Sequence, residues 1–107
     1  MKQYTTPEQT AKLIKLGLLP KHIQSVSDDG KMLLELMGFS IGELIEMLPE
    51  NVAKQDEIPS TLNISLMNGE WCVQFADFLG TDFEFCNTEL IDALYDMILR
   101  LKEKELI

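Results

Sequence analysis

The chain has 107 residues, 46% of them hydrophobic and 25% charged, and a formal net charge of −9 at pH 7. That size suits one domain able to bury a core unaided, and the apolar content excludes wholesale disorder. The charge is uneven: residues 1–31 carry +2, residues 32–99 set thirteen carboxylates against Lys54 for −12, and residues 100–107 carry +1. Direct binding to nucleic acid or to an anionic membrane needs a basic face, so the acidic body disfavours both and leaves a basic partner open. Residues 1–9 are polar, without the apolar stretch of a signal peptide, and runs such as Met97-Ile98-Leu99 are too short to span a bilayer. The expected location is cytoplasmic.

In chain order, Thr6-Pro7-Glu8-Gln9 announces a first helix, with Thr6 as cap, Pro7 at the first helical position and Gln9 as capping-box partner. It runs to Leu16; Gly17 stops it, Leu18 folds back on Leu13, and Pro20 prevents continuation. A second short helix over Lys31–Met37 follows Asp28-Asp29-Gly30 and ends at Gly38, with Phe39 set to contact Leu34. Ser40 and Glu43 form a capping box for a third helix, Phe39 and Leu44 its hydrophobic staple, and Ile41, Leu44, Ile45 and Leu48 its apolar face before Pro49.

Residues 49–60 read as a linker between a helical half (6–48) and a sheet-plus-helix half (61–105) of one domain. Leu62, Ile64 and Leu66 alternate with polar residues, as do Trp71, Val73 and Phe75, around Asn68-Gly69, which suits the positive φ angles of a type I′ turn. A two-residue loop sets Leu66 opposite Trp71, Ile64 opposite Val73 and Leu62 opposite Phe75, so every large apolar residue falls on one face. Phe83 and Phe85 mark a third strand after the Gly80-Thr81 turn. Asn87 or Thr88 then caps a long last helix to about Lys104, with acids early, bases late and an Asp96–Arg100 pair. Its apolar arc covers roughly 200°, against the ~100° of a helix packed on one layer. A second contact is therefore expected, with the N-terminal helices or with another subunit. The expected architecture is α+β: N-terminal helices, an antiparallel three-stranded meander and a C-terminal helix on the sheet.

Few residues point to chemistry. Asp77, Asp82 and Glu84 flank the second turn and could gather around a cation, but the tight alternate spacing of a calcium loop is missing, and a charged strand edge is the simpler reading. His22 has no nucleophile in a recognisable elbow and reads as a surface histidine. Cys72 and Cys86, with thirteen residues between them, form neither a C-x-x-C pair nor a disulfide framework; a zinc site would need carboxylates to complete it. They read as two reduced, inert thiols. Trp71 and Phe75 read as core, and the scattered glycines form no phosphate-cradling loop. No metal or cofactor is expected.

The stretch Phe39-Ser40-Ile41-Gly42-Glu43-Leu44-Ile45-Glu46-Met47-Leu48-Pro49, and the Trp71 hairpin followed by Glu89-Leu90-Ile91-Asp92-Ala93-Leu94-Tyr95-Asp96-Met97, resemble a group of small proteins of gut Bacteroidales and of their phages and mobile elements. The resemblance covers about two-thirds of the chain at caps, staples and core positions, so it implies a fold and no activity. The functional expectation is a non-enzymatic protein-interaction module that binds a protein partner or a second copy. Tyr95, Leu99, Asp77, Asp82 and Glu84 are its candidate contact residues. The alternative is an acidic inhibitor that imitates nucleic acid in a basic groove.

Overall fold

The computed structural model describes residues 1–52, 59–77 and 79–107. In chain order its elements are helices α1 (Pro7–Lys15), α2 (Asp28–Met37) and α3 (Ile41–Met47), strands β1 (Asn51–Val52), β2 (Ser60–Met67), β3 (Glu70–Asp77) and β4 (Gly80–Asn87), and helix α4 (Leu90–Glu103). The four strands form one antiparallel sheet in the order β1-β2-β3-β4, giving the expected α+β class. Among the described residues no helix is long and apolar enough to cross a membrane.

The hairpin adopts the predicted register, with Leu62 opposite Phe75, Ile64 opposite Val73 and Leu66 opposite Trp71. Asn68 and Gly69 both take positive φ, at 53° and 80°, as a type I′ turn requires. β4 continues the meander, setting Phe83 opposite Phe75 and Phe85 opposite Val73 before a bulge between Phe75 and Ala76 shifts the pairing. The sheet gains one strand over the expected three. Asn51 and Val52, within the expected 49–60 linker, pair with Thr61 and Ser60, and Ser60 is itself the first residue of β2. Two residues are too few to show a period of two, so sequence pattern cannot reveal such a strand. The rest of the expected linker, 53–58, lies outside the described residues.

α4 packs on β3 and β4 and also against α3. Ile91, Ala93, Leu94, Met97, Ile98 and Leu101 are all fully buried and share one core with Phe75 and Val73 of the sheet and with Leu13, Phe39 and Leu44 of the helical half. The wide apolar arc is therefore used inside the chain, between two layers. The predicted caps of the last helix are corrected: Glu89 is its N-cap and makes no side-chain capping bond, while Asn87 Oδ1 accepts from the Glu89 N–H at 2.9 Å. Arg100 reaches Glu103 at 3.6 Å instead of the expected Asp96.

The helical half follows its local signals. Thr6 with Gln9 and Ser40 with Glu43 both close reciprocal capping boxes. Gly17 N donates to Ile14 O and Leu18 N to Leu13 O, each at 2.9 Å, the two bonds of a Schellman ending. α2 begins three residues before the predicted start, because Ser27 Oγ accepts from Gly30 N and caps it.

A buried polar chain ties the N-terminus to the start of α3. Phe39 N donates to Thr5 Oγ1 at 2.8 Å, Thr5 and Thr10 hydroxyls meet at 2.6 Å, and Thr10 donates to Thr6 O at 2.8 Å. Thr10 has one hydrogen and spends it on Thr6 O, so Thr5 must donate to Thr10. Thr5 N also donates to Phe39 O at 3.0 Å, which anchors the isolated bridge between Tyr4 and Ser40. Thr5→Val keeps the shape but leaves the buried Phe39 N–H without an acceptor. It is expected to cost about 1–3 kcal/mol in urea unfolding, with no change in m-value.

Candidate functional site

The expected contact residues scatter. Tyr95 and Leu99 are half-buried against the core, and Leu99 lines a groove between α1 and α4 together with Lys12, Leu16 and Lys102. Burial raises the Tyr95 hydroxyl above the usual phenol range, with help from the Asp96 charge. The three sheet carboxylates serve three different partners. Asp77 Oδ1 accepts from Leu79 N at 2.7 Å and from Gly80 N at 3.1 Å, Asp82 accepts from Ser60 Oγ, and Glu84 accepts from Gln74 Nε2 at 2.6 Å. His22 is exposed between Glu43 and Glu46, at 3.5 and 3.2 Å.

Among the described residues, exposed large apolar side chains are most concentrated on α2, which has no buried residue at all, while Leu66 and Met67 at the hairpin end and Leu79 are also exposed. Leu36 is 81% exposed, Met32 67%, Met37 62% and Leu33 58%. At about 100° per residue these four span roughly 140° of the helix. Leu34, on the remaining face, is the residue that packs on the core. Tyr4, also exposed, lies beside Gly38, the residue that ends α2. Asp29 falls within the stripe, and Asp28 and Glu35 fall just beside Met32 on the same wheel, so the Met32 edge of the stripe is acidic. Sequence periodicity shows that α2 is amphipathic but not which way its apolar side turns. Five Met and Leu residues within six positions, more than one narrow face can bury, are the available signal.

A second constellation lies on the solvent side of the sheet, and it corrects the reading of two independent reduced thiols. β3 and β4 set Cys72 directly opposite Cys86, their Cα atoms 4.1 Å apart, and the two are joined by a disulfide. Such close opposition is typical of a cross-strand pair without mutual backbone hydrogen bonds, where side chains approach most nearly. Glu84 Oε1 is 3.4 Å from Cys86 Sγ. Cys72 is buried, whereas Cys86 and Glu84 are exposed.

The first turns of α4 hold the N-terminus in place. Lys2 Nζ and Gln9 Nε2 both reach Asp92 Oδ1 at 2.8 Å, and Lys2 N donates to Glu89 Oε2 at 2.6 Å. Burial pushes the Asp92 carboxyl upward, but the hydrogen bonds from Lys2 and Gln9 and the Lys2 charge outweigh it and hold it below the usual range. Asp96 moves the other way, raised by partial burial and by the neighbouring Asp92 charge. A lowered carboxyl contributes stability that is present above its unfolded value of about 3.9 and lost as pH falls through the folded one. A raised carboxyl has the opposite sign: ionising it costs stability above that value. Asp96→Asn is thus expected to raise Tm slightly at pH 7 and not at pH 3, whereas Lys2→Met lowers Tm at pH 7 and flattens the acid limb. Thermal scans from pH 3 to 7 check both.

No protein-family model, curated protein or solved structure matches this chain.

Proposed function

We propose that this protein is a non-enzymatic interaction module whose recognition element is α2. The outward apolar stripe of Met32, Leu33, Leu36 and Met37 carries the reading. A helix of a small domain ordinarily turns such a face inward, and contiguous exposed apolar surface is the mark of an interaction site. Met and Leu side chains also adapt to the surface they meet. The acidic border of Asp28, Asp29 and Glu35 favours a partner that is apolar at its centre and basic at its rim. An antiparallel two-fold contact through this face would set the two acidic Met32 edges together, which disfavours that pairing of two copies. A cytoplasmic accessory protein of a bacterium or phage is the setting we propose, in keeping with the resemblance to proteins of Bacteroidales and their mobile elements.

Leu36→Glu tests the reading. It should leave the fold within about 0.5 kcal/mol of wild type, as an exposed substitution does. Affinity capture from the host at low and high salt, wild type and variant in parallel, should yield a partner that the variant loses. Light scattering should find a monomer at high micromolar concentration. A partner that survives Leu36→Glu but is released by salt would favour the alternative, an acidic mimic of nucleic acid supported by the −12 charge of residues 32–99.

A further inference from the structure

The environment of Cys72 and Cys86 is better explained by the open dithiol than by the closed bond. Both sulfurs and a Glu84 carboxylate oxygen lie within 4.8 Å of one another. Glu84 is steered there: Gln74, its cross-strand neighbour, donates to its other oxygen at 2.6 Å. A disulfide sulfur has no proton to give, so against the closed bond the carboxylate faces only lone pairs. Reduction reverses this, because a thiol can donate to Glu84. Full ionisation would then place three negative charges within one small volume, which opposes a role as a nucleophilic thiol and calls for a cation.

We propose that the reduced protein binds one thiophilic divalent cation of the zinc type through Cys72 Sγ, Cys86 Sγ and Glu84, and that this occupancy and the disulfide exclude each other. Two thiolates select a borderline-soft ion over calcium or magnesium, and three protein ligands leave a fourth tetrahedral position open to water. Cys86 and Glu84 are exposed and Cys72 is buried, so ions reach the site from the outer sheet face. Gln74 fixes the carboxylate as an outer hydrogen-bond partner does in other metal sites.

The interconversion balances with a dithiol as co-reactant. One of its thiolates attacks the exposed Cys86 Sγ, the S–S bond breaks, and Cys72 leaves as a thiolate that takes a proton from solvent. The second thiol of the reductant then displaces Cys86, and the reductant departs as a disulfide. Two electrons and two protons have passed to the protein. Binding of the cation releases those two protons to solvent. Exchange with a disulfide in the reverse sense takes back the two electrons and expels the ion.

The test uses the full chain, reduced with a dithiol, freed of it without oxygen, and titrated with Co²⁺ as an optical probe. A thiolate-to-cobalt charge-transfer band should saturate at one ion per chain and vanish when Zn²⁺ is added. The disulfide form should show no band. Cys86→Ser, at an exposed position and checked for folding by circular dichroism, should lose it. Glu84→Gln should keep some sulfur band but weaken binding by at least about tenfold, the lower end of the effect of removing even an outer ligand partner. A reduced wild type without the band, a disulfide form that takes cobalt equally well, or a Glu84→Gln protein of unchanged affinity would each overturn the proposal.

Discussion

Gly38→Ala is expected to destabilise the fold by roughly 2–4 kcal/mol, enough to consume a large part of the ~5–15 kcal/mol available to a small domain. Two effects add. The backbone there has φ 76° and ψ 172°, a region essentially confined to glycine, where any other residue costs about 1–3 kcal/mol. A Cβ at this position would also stand 2.5 Å from Thr5 O and 3.1 Å from the Tyr4 Cβ. Those are backbone-anchored neighbours, held by the Thr5–Phe39 hydrogen bonds, so they cannot yield without releasing the N-terminus from α3. Gly42→Ala supplies the control. It lies inside α3, its new Cβ would meet nothing nearer than Ser40 Oγ at 3.9 Å, and a gain of about 0.4–1 kcal/mol is expected. Opposite signs in urea unfolding would tie the loss at Gly38 to its conformation and crowding. A small loss at Gly38 would mean that the Thr5 clamp contributes little.

That clamp also shows where sequence reading stops. Capping boxes, the Schellman ending and the hairpin register were all legible, because each rests on residues a few positions apart whose chemistry permits one local geometry. Thr5 and Thr10 carry no such mark; they look like polar residues at a chain end, and only the approach of Phe39, 34 residues later, makes them a buried network. The last helix is an intermediate case. Its over-wide apolar arc was visible, but a second subunit and the N-terminal helices bury the same residues equally well in sequence terms. The fold chooses the helices, which leaves Tyr95 and Leu99 half-buried while Met32, Leu33, Leu36 and Met37 of α2 stay exposed.

The cysteines differ again. Linear spacing hides their relation, yet strand register contains it. Once Phe83 and Phe85 face Phe75 and Val73, the next step along β4 sets Cys86 opposite Cys72. Glu84 follows from the same alternation, two residues from Cys86 and on the same side of the sheet. Asp77 and Asp82 do not join it: Asp77, at the far end of β3, accepts from Leu79 N and Gly80 N, and Asp82 accepts from Ser60 Oγ.

Opening the Cys72–Cys86 bond is the second large effect expected. The bond closes a loop of 14 positions, and in the chain-entropy account a loop of about 15 residues is worth about 3 kcal/mol through restriction of the unfolded chain. At roughly 4–8 °C per kcal/mol for a domain near this size, the reduced, metal-free protein should melt about 12–24 °C below the disulfide form. Zinc should then separate the states. An ion that binds only the folded, reduced protein adds about 2.7 kcal/mol at 100 times its dissociation constant, nearly the amount that reduction removed. The disulfide form and a Cys72→Ala/Cys86→Ala double variant should not respond. Thermal scans of these three proteins, each with and without Zn²⁺, therefore give a pattern in which one melting curve moves. Equal shifts in all three would show that the ion acts elsewhere on an acidic surface. A reduced protein as stable as the oxidised one would show that the β3–β4 pairing is already held by Phe75, Phe83 and Phe85 against α4, without help from the bond.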